Sequence, residues 1–116
     1  NIVNHLDRLD QLLQLQATDK VSQFFELSFD LSVHDIFSCW SKGAALYVIP
    51  SEQLMCPLAF IKQHKLTVFS GVASVLSFMD KLSLLKSQRL PHLRVSCFGG
   101  EKLLTNQALK LAEMCP

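Results

Sequence analysis

The chain has 116 residues, of which 49% are apolar and 18% charged, and its net charge is +1. That length fits one domain or part of a larger one, and the apolar content excludes a disordered chain. Lysines and arginines are scattered, which excludes a nucleic-acid footprint, and no apolar run approaches the ~20 residues needed to cross a bilayer.

Ile2, Val3, Leu6, Leu9, Leu13 and Leu15 recur at helical spacing with Asp, Arg and Gln between them, which predicts an amphipathic helix broken at Asp19-Lys20. Residues 21–27, rich in β-branched and aromatic side chains, predict a strand. Ser32 followed by Asp35 resembles a capping box with Asp in place of Glu. The helix it predicts carries Val33, Ile36, Phe37 and Trp40 on one face and ends at Gly43. Residues 44–49 are continuously apolar, the pattern of a strand covered on both faces, and Pro50 stops them. Pro57 suits the first turn of a helix through Leu58, Ile61 and His64. Residues 66–70 predict a third strand. Ser74 is placed to cap a helix bearing Val75, Leu76, Phe78, Met79, Leu82 and Leu85. Residues 93–98 predict a fourth strand, Gly99-Gly100 a turn, and Thr105 the cap of a last helix with Leu109, Leu111 and Met114.

The order is a helix, then strand and helix four times. Short apolar strands separated by helices imply βαβ crossovers and a mostly parallel sheet of about four strands with flanking helices, a flavodoxin-like α/β fold. No linker or internal repeat divides residues 1–116, which read as a single unit. Cys39, Cys56, Cys97 and Cys115 contain no Cys-x-x-Cys pair and read as buried free thiols of a reducing compartment. Residues 1–10 mix charge with leucine, so no leader is expected and the protein is expected to be soluble and cytoplasmic. A start without Met and an end on Cys115-Pro116 read as a piece of a longer protein.

In an open parallel sheet, ligands bind beyond the carboxyl ends of the strands. Three predicted ends carry unusual residues: Ser28-Phe29-Asp30, Ser70-Gly71 and Gly99-Gly100-Glu101. Asp30 stands between a strand and a helix start, where a carboxylate gains from the positive end of the helix dipole. It serves either as a turn or capping residue or as the counter-charge to a cationic ligand group. Gly99-Gly100 lets the backbone approach a flat or phosphorylated ligand closely. Neither a dinucleotide fingerprint nor a phosphate loop ending in Gly-Lys-Ser/Thr is present. Asp30, His34 and Glu101 as metal ligands, or Ser28, Ser70, His34 and Asp30 as a hydrolytic relay, are weaker readings, because their spacings match no established motif. His5, His64 and His92 read as surface histidines, and Cys97 as core rather than nucleophile.

The run Leu27-Ser28-Phe29-Asp30-Leu31-Ser32-Val33, followed by an apolar helix and Gly43-Ala44, resembles the Phe-Asp-x-Ser segment of the adenylate-forming (AMP-binding) superfamily. Leu66-Thr67-Val68, and Leu93-Arg94 leading to Gly99-Gly100-Glu101, match its later segments in order. The likeness is greatest to amino-acid-activating domains of nonribosomal peptide synthetases and to D-alanine–carrier protein ligases, and it covers nearly the whole chain. It implies that Asp30 pairs with the α-ammonium of an amino acid substrate. It implies a side-chain pocket of Leu31, His34, Ser70, Cys97 and Gly99, with the backbone of Gly99, Gly100 and Glu101 against adenine. It also implies a parent ligase that uses ATP and Mg²⁺ to form an aminoacyl-adenylate and passes it to a carrier protein's phosphopantetheine thiol, without nucleic acid or membrane. The family's phosphate loop and lysine belong before Asn1, and its magnesium-binding glutamate and mobile lysine domain belong after Pro116. Residues 1–116 alone are therefore expected to hold neither ATP nor Mg²⁺ tightly, to contain no catalytic residue or metal ligand, and to be inactive. The family often has proline after the third strand, where this chain reads Ser70-Gly71-Val72-Ala73-Ser74. Rival readings are acyl-coenzyme A formation from a fatty or aromatic acid, and a non-catalytic α/β binding module.

Overall fold

The computed structural model describes residues 2–86 and 88–116, with Ile2 described by its backbone alone. The elements run α1 (Ile2–Leu13), β1 (Lys20–Gln23), α2 (Leu31–Trp40), β2 (Ala45–Val48), α3 (Leu58–His64), β3 (Val68–Gly71), α4 (Ala73–Lys81), β4 (Val95–Phe98) and α5 (Thr105–Met114). Single turns of 3-10 helix stand at Ser51–Gln53 and Leu84–Lys86. Left-handed residues punctuate the chain: Gln14 (φ 48°) follows α1, Gly43 (φ 67°) follows α2, and Lys65 (φ 55°) follows α3. The helix-then-strand order matches the sequence reading, and the fold is α/β.

The four strands pair in parallel in the order β2-β1-β3-β4. From β1 the chain steps outward to β2, then crosses back over β1 to β3 and continues to β4. Right-handed crossovers require the helix of that first step to lie on one face and those of the later steps on the other. The core divides accordingly. Leu13, Leu15, Val21, Cys39, Ala44 and Val68 form a cluster between the sheet and α1 and α2. Leu58, Ile61, Phe69, Leu76, Met79, Leu111 and others form a larger one under α3, α4 and α5. Alternation along β3 sends Val68 to the first cluster and Phe69 to the second. Each fully buried Leu or Val contributes about 1.5–3 kcal/mol of hydrophobic stabilisation.

A polar hub locks the amino ends of the strands. Asp19, just before β1, accepts hydrogen bonds from Thr67 Oγ1 (2.7 Å), the Gln16 amide (2.8 Å) and Arg94 Nε (3.1 Å). Arg94 also donates to the carbonyls of Leu13 and Gln14 at the end of α1. Burial alone would raise the Asp19 pKa, but the hydrogen bonds from Arg94, Gln16 and Thr67 outweigh it and hold the carboxyl below its ordinary 3.8.

Several expectations are corrected. α2 begins at Leu31 with Asp30 at its N-cap and no side-chain cap. Ser32 therefore lies inside the helix, and its hydroxyl donates to the Phe29 carbonyl (2.7 Å). The buried residues of α2 are Ser32, Asp35, Ser38 and Cys39, whereas Phe37 and Trp40 are 45% and 60% exposed. Small side chains let this helix lie close to the sheet, and its polar members bond to nearby backbone: Asp35 accepts from the Phe24 and Phe25 amides, and Ser38 donates to the His34 carbonyl. Ser74 and Thr105 do not cap α4 and α5, whose N-cap positions are Val72 and Leu104. β2 is a sheet edge and exposes Ala45 and Val48, so it is not covered on both faces. Phe78, Leu82 and Leu109 are exposed. Of the four cysteines, all free, Cys39 alone is fully buried. His64 packs its ring on Phe60, with centroids 4.3 Å apart, and is half-buried.

Candidate functional site

The strand order reverses at β1, so the loops after β1, β3 and β4 leave adjacent strands on the same edge of the sheet. There the structure opens a cavity of about 200 Å³ lined by Phe25, Leu31, His34, Ser70, Cys97, Phe98 and Gly99. Ser70 and Cys97 are register partners on β3 and β4, and both lie on the face that receives α2. Leu31 and His34 sit three apart in the first turn of α2 and so share one side of it. Gly99 continues the ladder past β4, donating to the Gly71 carbonyl (3.1 Å). A Cβ at Gly99 would meet the Leu31 side chain at 3.6 Å, so its absence keeps that corner of the cavity open.

Five of the residues expected at a site, Leu31, His34, Ser70, Cys97 and Gly99, thus meet on one cavity, while Asp30, Gly100 and Glu101 lie outside its lining. Asp30 immediately precedes Leu31 and is exposed. Its carbonyl accepts from the Val33 amide (3.1 Å) while its carboxylate makes no capping bond, so the capping alternative is not taken. Gly100 has φ 77°, a conformation that suits glycine, and nothing lies within 4 Å of where its Cβ would be. The turn is a bare strip of backbone. The Glu101 carboxylate reaches away to α4, accepting from the Ser74 amide (2.7 Å) and hydroxyl (3.3 Å).

Asp35 sets the local electrostatics, a part the sequence did not disclose. It is fully buried, and its Oδ2 accepts from the Phe24 (3.1 Å) and Phe25 (3.4 Å) amides at the end of β1. Its Oδ1 lies 3.3 Å from His34 Nδ1 and so orients that ring. Burial, then the charge of Asp35, raises the Cys97 pKa, leaving a neutral thiol at physiological pH, unsuited to nucleophilic attack. Ser70, 2% exposed, leaves its Oγ without a hydrogen-bond partner, so no Ser–His relay exists here. Its amide donates to Ser22 Oγ (3.0 Å). Among the described residues no group of three or more His, Cys, Asp or Glu side chains is placed to hold a metal ion. A larger groove, about 330 Å³, runs between the open edge of β4 and α5, and of its lining residues Leu103 alone comes from the loop after β4. Two cavities stand where open parallel sheets bind ligands: the one of about 200 Å³, and one of about 300 Å³ lined by Phe24, Phe25, Glu26, Phe29, Leu54 and Val72 after β1, β2 and β3; the first gathers the residues expected at a site.

The family described as AMP-binding enzyme matches residues 1–116. The chain is 33% identical over 107 residues to an L-proline--[L-prolyl-carrier protein] ligase of Streptomyces coelicolor, covering 90% of this chain and 20% of the relative. It is 31% identical over 104 residues to a delta-poly-L-ornithine synthetase of Acinetobacter baumannii, covering 87% of this chain and 7% of that protein. Among solved structures, the Vibrio cholerae adenylation domain AlmE in complex with glycyl-adenosine-5'-phosphate is 39% identical with a TM-score of 0.90, covering 96% of this chain and 21% of that one. IdnL7 is 30% identical with a TM-score of 0.92, covering 99% and 24%. The chain thus spans about a fifth of the length of the proline ligase and of AlmE. No helix among the described residues is long and apolar enough to cross a membrane. By a family match over its whole length and by these relatives, the chain belongs to the AMP-binding enzyme family.

Proposed function

We propose that this chain is the amino-acid-binding part of an adenylation domain. The longer ligase would use ATP to convert an amino acid carboxylate to an aminoacyl-adenylate and transfer it to a carrier protein's thiol. One observation carries the reading: Leu31, His34, Ser70, Cys97 and Gly99, drawn from two strand ends and one helix start, line a single cavity, and Asp30, whose carboxylate makes no capping bond, immediately precedes Leu31. Asp30 binds the substrate's α-ammonium and is kept from capping duty for it. The side chain enters between Leu31 and His34 on one side and Ser70, Cys97 and Gly99 on the other. A charged substrate side chain would meet no Asp, Glu, Lys or Arg in the lining, and the imidazole of His34 is already engaged by Asp35, which favours an uncharged amino acid.

The nucleotide is divided between what these residues fit and what they do not. The bare Gly99–Gly100 backbone, with no atoms within 4 Å of a Gly100 Cβ, fits a flat base. The cavity presents no cation for phosphates, so phosphate and magnesium contacts belong to the rest of the ligase. On this reading residues 1–116 bind and orient the amino acid, and do not turn over alone.

The test is ATP–pyrophosphate exchange by the full-length protein that carries this chain, across a panel of amino, fatty and aromatic acids. Exchange with one or a few uncharged amino acids supports the reading. Exchange with fatty or aromatic acids alone replaces it by acyl activation, and no exchange from folded protein replaces it by a binding module.

A further inference from the structure

α4 starts without a cap of its own. Val72 occupies the N-cap position and offers no side-chain acceptor; its carbonyl takes the Val75 amide (3.1 Å), which leaves the Ser74 amide to find a partner elsewhere. The Glu101 carboxylate supplies that partner from 27 residues away, with Oε2 accepting from the Ser74 amide and Oε1 from its hydroxyl. This is the first rung of a polar ladder. Ser77 Oγ pairs with Gln107 Oε1 at 3.1 Å, and Asp80 holds Lys110 Nζ at 2.7 and 2.9 Å. Ser74, Ser77 and Asp80 are spaced three apart and so share one face of α4. The segment that follows β4 is thereby pinned along that whole face. The Gly99–Gly100 turn lies between two fixed points: the Gly99 amide on the Gly71 carbonyl (3.1 Å), and the Glu101 rung two residues later. Gly100, with φ 77° and nothing within 4 Å of where a Cβ would stand, depends on those points for its position.

We propose that Glu101 is a positioning residue: by capping α4 it holds the Gly99–Gly100 turn in the shape that meets the nucleotide. The nucleotide part of this proposal rests on the adenylation reading above. The carboxylate acts through the turn and does not touch the reacting atoms. Loss of a helix-capping acceptor is worth roughly a factor of five in an equilibrium constant.

The experiment compares Glu101→Ala, Glu101→Gln and Lys110→Met in the full-length protein by steady-state pyrophosphate exchange and by amide hydrogen exchange. Glu101→Ala should raise the KM for ATP about fivefold, with kcat and the amino acid KM within about twofold of wild type. Glu101→Gln should restore most of the loss, because its amide oxygen still accepts from the Ser74 N–H. Lys110→Met, which removes the far rung, should lower stability without moving the KM for ATP. In hydrogen exchange, amides of residues 74–76 and 99–102 should exchange faster in Glu101→Ala and unchanged in Lys110→Met. An unchanged KM for ATP in Glu101→Ala overturns the proposal, as does an equal rise for both substrates or a fall in kcat alone. If wild type exchanges pyrophosphate with no acid, the adenylation reading fails, and hydrogen exchange still decides the clamp: unaltered rates at 99–102 overturn it. If Glu101→Ala does not fold, the same comparisons are made on Glu101→Gln, with half the clamp removed and a smaller shift expected.

Discussion

Thr67→Val is the most informative single change to the scaffold, because it keeps the shape of the side chain and deletes one hydroxyl. Thr67 Oγ1 donates to Asp19 Oδ1 at 2.7 Å and accepts from the Lys20 amide at 2.9 Å. A neutral backbone bond is worth about 1 kcal/mol net and one to a carboxylate about 1.5–3 kcal/mol. Asp19 keeps its bonds to Gln16 and Arg94, so the lower end applies and the sum is roughly 2–3 kcal/mol. That corresponds to an increase of roughly 30- to 150-fold in local opening. Amide hydrogen exchange measures it directly. The Lys20 amide should lose its protection, and the paired Thr67 and Ala45 amides, bonded to the Lys20 and Asp19 carbonyls, should exchange faster by that factor. Asp19 adds a pH signature. Its folded pKa lies below 3.8, so its contribution is fully present above that value and is lost as pH falls through the folded pKa. Protection around β1 should therefore drop in acid below pH ~4, and Asp19→Asn should flatten the dependence. Protection of Lys20 within threefold of wild type in Thr67→Val would refute the argument that this hydroxyl joins β1 to β3.

Other changes test single contacts. Gly71→Ala places a Cβ 2.9 and 3.0 Å from the buried Phe69 ring, and thermal unfolding should show a loss of about 1–3 kcal/mol. Gly99→Ala meets Leu31 at an ordinary 3.6 Å, so stability should change by less than about 1 kcal/mol while the KM for bulkier amino acids rises. Cys39 is fully buried, and burial, then the charges of Asp19 and Asp35, pushes its thiol up to about 11. Iodoacetamide at pH 7.5 should leave it unmodified in the native protein and alkylate it after unfolding, as read by peptide mass spectrometry.

The fold was legible because apolar runs and breakers mark strands and helices directly. Residues 44–49 between Gly43 and Pro50, and 66–70 after Lys65, announce their strands. Which strand lies at an edge depends on topology, and nothing local distinguishes β2 from β3. α2 misled for a physical reason: apolar periodicity shows which side chains avoid water, whereas this helix approaches the sheet through Ser32, Asp35, Ser38 and Cys39, whose polar atoms find backbone partners. Of the cavity residues, Leu31, His34 and Cys97 entered as pocket residues through the family resemblance, whereas Ser70 and Gly99 were legible because the chemistry of an α/β sheet gathers at strand ends. Asp35 and the side chain of Glu101 were not, since their partners, the Phe24 and Phe25 amides and Ser74, are set by packing and by a contact spanning 27 residues.

The most direct test of the central claim is pyrophosphate exchange by the full-length protein and its Asp30→Ala variant, with the preferred amino acid and with the same acid lacking its amino group. Asp30 paired with the ammonium predicts a loss of about 30-fold or more in kcat/KM for the amino acid. It predicts no loss for the deaminated acid, which offers Asp30 nothing to bind. Equal activity of the two proteins toward the amino acid would contradict the account, and would leave the cavity beside Asp30 without its proposed anchor.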